Sequence, residues 1–215
     1  MNSVRSVLLT LALLGGVFGG ELARAQSLRE ALFLAINARN EAEVTRLVRA
    51  GVHYTARNAN GESPLYVAVE NGQMAVVKVL LDNGADIGAR TPNGETPLHA
   101  AALYNDAALA TLLLARGAEP GSANKDGETP LHWAAMTGTT AVAKVLVGHG
   151  ASVRASDAAG NTPLHGAAAS GNADLVAYLL AGKANKSARN KAGREPIDLA
   201  RARGHGRVIL VLTKK

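Results

Sequence analysis

One short pattern recurs along this chain at a fixed spacing. The four residues Thr-Pro-Leu-His occupy positions 96–99, 129–132 and 162–165, so each copy stands 33 residues after the previous one. Weaker copies lie one period further out on each side, at 63–66 and 195–198. Anchors in one register predict an array of repeated units, each of which contacts mainly its neighbours, instead of one globular core.

Each repeated unit carries the signals of two short helices. Thr or Ser is a favourable N-cap and Pro is tolerated at the first helical position, so the anchor predicts a helix start. A second apolar run follows in each unit, at 76–81, 109–114 and 142–147, and its spacing predicts a second helix. The Gly of a Gly-Ala pair then ends that helix in the left-handed conformation, and a polar loop leads to the next unit.

This unit resembles the ankyrin repeat, and the resemblance covers roughly residues 27 to 215. It implies an all-α fold, an ankyrin-repeat solenoid of stacked helix-turn-helix units with short β-hairpin-like loops. It also implies that the hairpin tips and first helices line a concave face that grips partner proteins. The low aromatic content of 3% fits close stacking of small helices better than a core built on large anchors.

The chain divides into a leader, two end units and four regular repeats. The expected boundaries are 1–25 for a signal peptide, 26–57 for an N-terminal capping repeat, 58–90, 91–123, 124–156 and 157–189 for four ankyrin repeats, and 190–215 for a truncated C-terminal capping repeat. In the last regular repeat, Lys183 stands where the other units have the closing Gly. We therefore expect an altered helix end there.

The first 25 residues have the composition of a bacterial-type secretory leader. A basic start precedes an apolar run at 7–18, and Ala23, Arg24 and Ala25 match the small-x-small cleavage pattern. The run is short for a bilayer span, which takes about 20 residues. We therefore expect cleavage near Ala25 and a periplasmic or secreted protein, which the lack of Cys also fits. The alternative is a leader retained as an inner-membrane anchor, or a buried helix.

Positive charge is concentrated at the C-terminal end. Residues 183–215 hold ten Lys or Arg against two carboxylates, a net charge of +8, although the whole chain carries only +6. Such an end favours a solvated cap that keeps the array soluble. A weak contact with anionic envelope lipid, or with an acidic partner, is the alternative. No aromatic platform accompanies the basic residues, so we do not expect nucleic-acid binding.

The histidines of the anchors are the only regular polar series in the predicted helices. Stacked helices lie about 8–10 Å apart, so successive anchor histidines are too distant to share one metal ion. We expect each imidazole to bond to its own turn and to the next repeat, and we interpret the following as structural residues: Thr96, Pro97, His99, Thr129, Pro130, His132, Trp133, Thr162, Pro163 and His165. No pattern in the sequence assembles a catalytic set, a phosphate loop or a cofactor site, so an enzyme is not expected.

The remaining candidate is a protein-binding surface on the expected concave face. Glu62, Glu95 and Glu128 occupy one slot of three successive units and predict an acidic row beside an apolar centre, the usual composition of a binding hot spot. The full set of candidate partner-binding residues is Glu62, Glu70, Asn71, Asn93, Glu95, Leu103, Tyr104, Asp126, Glu128, Met136, Thr137 and Asn161. The alternative is that these side chains are merely solvated.

These observations favour an exported, monomeric, non-catalytic module that binds another protein through its concave face. Neither a cofactor nor a small-molecule substrate is expected, because a flat stacked array offers no deep pocket. The alternatives are an envelope or membrane-tethered structural protein, or an accessory or immunity factor for a periplasmic enzyme. The resemblance to bacterial ankyrin proteins implies, as one such case, support of an oxidative-stress enzyme such as catalase.

Overall fold

The computed structural model describes residues 26–52 and 55–214, and within these ranges the chain forms twelve helices and no strand. The predicted leader and its cleavage site at Ala25 lie outside the described residues. The helices come in pairs along the chain, one pair for each end unit and one for each regular repeat. The prediction of an all-α solenoid is confirmed.

The twelve helices are short and evenly spaced. Their bounds are 26–37 (α1), Glu41–Arg49 (α2), Pro64–Glu70 (α3), Met74–Asp82 (α4), Pro97–Leu103 (α5), Ala107–Ala115 (α6), Pro130–Thr137 (α7), Thr140–Gly148 (α8), Pro163–Ser170 (α9), Ala173–Ala181 (α10), Pro196–Ala202 (α11) and Gly206–Thr213 (α12). From α3 onward, the first helices of the units pack in one layer and the second helices in another. Each first helix also packs on the second helix of its own unit.

The core runs between the two layers and consists mainly of Leu, Val and Ala; among the described residues its buried aromatic side chains are Phe33, Tyr66 and Trp133. Leu98, Leu131 and Leu164 each have 1% or less of their surface exposed, and the alanines three and four positions after each of them are fully buried. Small residues allow neighbouring helices to approach closely, so each unit buries its apolar face only when the next unit is in place.

The loops between units form tight hairpins, and backbone hydrogen bonds connect each hairpin to the next. The backbone N–H of Lys125 donates to the carbonyl of Asn93 at 2.9 Å, and the N–H of Ala158 donates to Asp126 at 2.7 Å. A third bond of this kind joins Lys191 to the preceding hairpin. These bonds hold the hairpin tips in a row along one edge of the concave face.

The expectation of an altered helix end at Lys183 is wrong. Lys183 adopts a φ of 66°, the left-handed conformation that glycine takes in the other units, including Gly150 at 92°. Its backbone N–H donates to Leu180 at 2.9 Å, and the next N–H donates to Leu179 at 3.0 Å, which reproduces the closing bonds of the preceding repeat. Stacking imposes the same backbone on every unit, even where the side chain disfavours it.

Among the described residues, no helix has the length and apolar character that a membrane span requires.

Candidate functional site

The anchor of each repeat is tied to the next repeat through its histidine. The Nδ1 atom of His99 accepts the backbone N–H of Thr96 at 3.1 Å, and its Nε2 atom lies 3.1 Å from the carbonyl oxygen of Glu128. Because Nδ1 accepts, the ring proton resides on Nε2 and is donated to that carbonyl. Equivalent bonds recur in the next two repeats, from His132 and His165 to the carbonyls of Asn161 and Arg194.

Burial keeps these imidazoles neutral. It lowers the pKa of His99 from 6.5 to about 4, and it also lowers the pKa of His132 and the pKa of His165. Both ring nitrogens are engaged in hydrogen bonds, so no lone pair remains for a metal ion or for proton transfer. Across 26–52 and 55–214, no three His, Asp or Glu side chains are grouped to hold a metal ion. The histidines therefore connect the repeats.

Trp133 is a large aromatic side chain that packs between two repeats. Its ring meets the His99 ring of the preceding repeat edge to face, with centroids 5.2 Å apart and planes at 75°. The indole N–H donates to Oε2 of Glu128 at 2.8 Å, which satisfies the polar end of a side chain that is 91% buried.

The three glutamates of the predicted acidic row are half-buried, and each bonds to its own hairpin. Glu62 accepts the side-chain amide of Asn58 at 2.6 Å, and Glu95 accepts the hydroxyl of Thr91 at 2.8 Å. Glu128 accepts from Asn124 at 3.1 Å in addition to the indole. These carboxylates still carry negative charge along the concave face, but part of their hydrogen-bonding capacity is used to shape the loops.

Next to this row, three large apolar side chains are exposed on adjacent first helices. Leu103, Tyr104 and Met136 have 38%, 52% and 53% of their surface exposed, at the ends of α5 and α7. We call these three residues the central patch. The Tyr104 hydroxyl donates to Oε1 of Glu70 at 3.0 Å, so it bridges two units and its pKa is raised by that bond. Exposed aromatic and apolar side chains of this kind mark interaction sites more often than ordinary surface.

The sequence predictions missed a concavity of about 490 Å³ at the C-terminal end of the same face. Its apolar floor consists of Met136, Gly166, Ala169, Leu199 and Ala202, from three successive first helices. We call it the C-terminal groove. A signal for it does exist in the sequence: the slot after the anchor histidine holds Trp133 in one repeat and only Gly166 in the next.

A family model described as ankyrin repeats (3 copies) matches the chain in four overlapping segments, at 10–91, 32–122, 74–157 and 98–190. The chain belongs to the ankyrin repeat family. A comparison with curated proteins found no match. Ankyrin repeats are generally protein–protein interaction modules, and the family is typically non-catalytic.

Several of the predicted binding residues have side chains that already form hydrogen bonds within the ankyrin repeats. Asn161 donates to Asp157 at 3.0 Å and accepts from Asn190 at 2.8 Å, which links two hairpins. The hydroxyl of Thr137 donates to the carbonyl of Trp133 at 2.9 Å, although the residue itself is exposed. These bonds hold the side chains in fixed orientations and leave them less capacity for a partner.

Other predicted residues lie at the rim of the face. Asn93 and Asp126 are exposed at the hairpin tips of the ankyrin array, and their backbone carbonyls bond to the next hairpin. Asn71 lies at the opposite end of its helix, where its carbonyl accepts from Arg39 at 2.9 Å. The twelve candidate residues are thus spread over the hairpins and the first helices. Among them, within the described residues, only the three residues of the central patch are large, apolar and exposed.

Proposed function

We propose that this protein is an exported, non-catalytic module that captures a partner protein on the concave face of its ankyrin array. The observation that carries the proposal is the central patch, which places two exposed apolar side chains and an aromatic one on adjacent helices. Burial of such a patch contributes about 25 cal/mol for each Å² of apolar surface, and tyrosine is enriched among the residues that dominate binding energy.

The charges around the central patch indicate the chemistry of the partner. Glu62, Glu70 and Glu95 lie on the hairpins and helices beside it, and residues 26–182 carry an excess of acidic side chains. Complementary charge steers association and disfavours wrong partners. We therefore expect a partner that presents basic groups around an apolar contact.

The central patch is tested by exchanging its two residues that lie outside the C-terminal groove. The variant Leu103→Ser/Tyr104→Ser is used as bait in affinity capture from periplasmic extract, beside the wild-type protein. The control is Leu34→Ser/Leu210→Ser, because these leucines are 69% and 66% exposed and lie away from the central patch. We expect the patch variant to lose the partner and the control to retain it. Retention by both variants would contradict the role of the patch, and failure of the wild-type bait to capture any protein would contradict the interaction function.

Export is a separate part of the proposal, and it is supported by the leader-like composition of residues 1–25. Amino-terminal sequencing of the protein from a periplasmic fraction should give Gln26 as the first residue. A protein that starts at Met1 and stays with the membrane fraction would instead favour a retained anchor.

A further inference from the structure

The C-terminal groove lies between two walls of opposite charge. Glu128 and Asp157, from two successive hairpins, line the groove in the preceding repeats (the acidic wall), and Arg194 and Arg203, from the last hairpin and the end of α11, line it in the last unit (the basic wall). The groove therefore offers a partner two kinds of charge, and the hydrogen bonds that each wall already makes determine which kind is accessible.

The acidic wall is largely satisfied by the protein itself. The Oε2 atom of Glu128 accepts both the Trp133 indole at 2.8 Å and an asparagine amide at 3.1 Å. Oδ1 of Asp157 accepts two backbone N–H groups, from Ala159 at 2.9 Å and from Asn161 at 2.7 Å, and Oδ2 accepts the Asn161 amide at 3.0 Å. Donors this close offset the charge locally, so a basic ligand gains little by approaching this wall.

The basic wall keeps most of its donors for a ligand. Arg194 is exposed, and its guanidinium makes no ion pair or hydrogen bond with any described residue. Arg203 is also exposed, and one of its terminal nitrogens donates to the carbonyl of Ala169 at 2.6 Å, which holds the side chain across the groove. A guanidinium has five N–H donors, so Arg203 is oriented by one bond and retains the others.

The floor between the walls is apolar. At Gly166 a Cβ atom would lie 3.2 Å from the backbone nitrogen and 3.3 Å from Cγ of Met136, so α9 packs closely on α7 there and the glycine permits that approach. Leu199 lines the groove from the next helix, and Met136 is 53% exposed. An apolar side chain of a ligand would gain by lying in the concavity between Met136 and Leu199, because it would replace water against carbon on two sides.

We propose that the C-terminal groove binds a short peptide segment of the partner protein in which an apolar side chain stands close to a carboxylate. The apolar side chain lies between Met136 and Leu199, and the carboxylate pairs with Arg203, while Arg194, at the other end of α11, adds positive charge to the groove. This inference rests on the proposed function, since it assigns the chemistry of the partner at one end of the same face.

The spacing of the two groups in the peptide follows from the helix. Leu199 and Arg203 are four residues apart in α11, which corresponds to about 6 Å along the helix axis. An extended peptide covers that distance in about two residues. The preferred segment is therefore an apolar residue with Asp or Glu about two positions away.

The experiment is selection from a random dodecapeptide library on the immobilised full-length protein, followed by fluorescence polarisation of the selected peptides. We expect enrichment of Leu, Ile, Met or Phe with Asp or Glu about two positions away. For Arg194→Glu/Arg203→Glu we expect these peptides to bind at least about tenfold more weakly, which corresponds to the loss of one charge-assisted contact. The matched control is Arg207→Glu/Lys214→Glu, which changes the net charge of the same end equally but lies outside the groove.

A second variant separates loss of binding from loss of folding. Ala202→Trp fills the groove from an exposed position on α11, and Ala115→Trp places the same side chain at an exposed position on α6. We expect only the first to block the selected peptides. Equal binding to both would overturn the proposal, as would selection of peptides rich in Lys or Arg whose binding depends on Glu128 or Asp157.

The outcomes also distinguish this inference from the proposed function. If binding of the selected peptides depended on Leu103 and Tyr104 but not on the two arginines, the groove would not be the peptide site. The proposed interaction function would still hold. Selection of no peptide on any part of the concave face would count against both. The arginines would instead bind lipid if the protein sedimented with phosphatidylglycerol vesicles and Arg194→Glu/Arg203→Glu lost this binding. In that case the control would keep vesicle binding and no acidic peptides would be selected.

Discussion

The central patch and the C-terminal groove occupy equivalent slots of successive repeats and share Met136, yet one is raised and the other is hollow. The slot four residues after the anchor position holds Leu103 and then Met136 in the middle of the array, and only Ala169 and then Ala202 towards the end. Large side chains produce a raised apolar patch, and small ones leave a groove. The backbone is the same in both places, so side-chain size alone makes the difference.

Charge changes along the same direction. The hairpin slot before the anchor holds glutamate in three units, then Asn161, then Arg194. The glutamate side chains bond to their own hairpins, whereas the Arg194 guanidinium bonds to no described residue. In a repeat protein, the framework positions fix where each slot lies, and the variable slots determine what each part of the face can bind. Variants at framework and variable positions should show whether the two regions share their stability.

The largest expected effect concerns the histidine that joins the two regions. In His132→Ala, the carbonyl of Asn161 and the N–H of Thr129 lose their partner, and a cavity forms between repeats. We expect the free energy of unfolding to fall by about 3 kcal/mol, from an unsatisfied buried group and a cavity together. Urea denaturation followed by circular dichroism measures it.

The control for this variant is His149→Ala, because His149 is exposed and bonds only to a carbonyl of its own helix. Its effect should stay within about 0.5 kcal/mol. If the two variants lost equal stability, the two regions of the face would not be coupled through the anchor histidine.

A smaller effect is expected from acid. The folded-state pKa of His99 is about 4, below the unfolded value of 6.5, so the unfolded chain binds more protons as the pH falls. The stability contributed by this neutral imidazole is therefore complete above pH 6.5 and is lost as the pH drops towards 4. Between about pH 7 and pH 5.5 we expect His99 alone to account for about 1.2 kcal/mol.

The pH effect is measured by urea denaturation at several pH values, with His99→Gln as the comparison. The variant keeps a polar side chain but has no imidazole to protonate, so its stability should depend less steeply on pH. An identical pH dependence of the two proteins would show that the loss of stability in acid comes from other groups. Hydrogen exchange would then show whether the central patch or the groove opens first.

The closing slot of the second helix offers a comparison of opposite sign. In Lys183→Gly we expect the free energy of unfolding to rise by about 0.5–1 kcal/mol. Glycine adopts the positive φ without the steric cost that a side chain carries, and its greater conformational freedom in the unfolded chain offsets part of that gain. The mirror variant Gly150→Lys should lose about 1 kcal/mol, since a Cβ there meets no atom within 4 Å and only the backbone conformation is strained. Urea denaturation midpoints of the two variants measure both changes. Midpoint shifts of the same sign would contradict backbone strain as the cause.

The smallest expected effect is that of Tyr104→Phe. The change removes the exposed bond to Glu70 but keeps the ring on the surface. The free energy of unfolding should change by less than about 0.5 kcal/mol. Thermal denaturation checks this value. A larger loss would mean that the central patch stabilises the array and is not kept exposed for binding.

Much of the fold could be predicted from local signals. Ser63 is the N-cap of α3 and accepts the N–H of Tyr66 at 3.1 Å, as the anchor pattern predicts. Lys183 shows the limit of local reasoning, because the neighbouring repeats impose a conformation that its side chain disfavours. The features of the concave face were predicted only in part: the exposed apolar residues follow from repeat position, but the groove depends on small side chains in successive units, Gly166, Ala169 and Ala202.

The sequence by itself determined the period, the two helices of each unit and the slot that each residue occupies, because these follow from caps, prolines and apolar spacing within one repeat. Only the tertiary structure decided which charges a partner can reach. That outcome depends on hydrogen bonds within hairpins and between side chains brought together by the fold, such as the bond from Trp133 to Glu128. The same stacking leaves Arg194 and Arg203 facing an open groove.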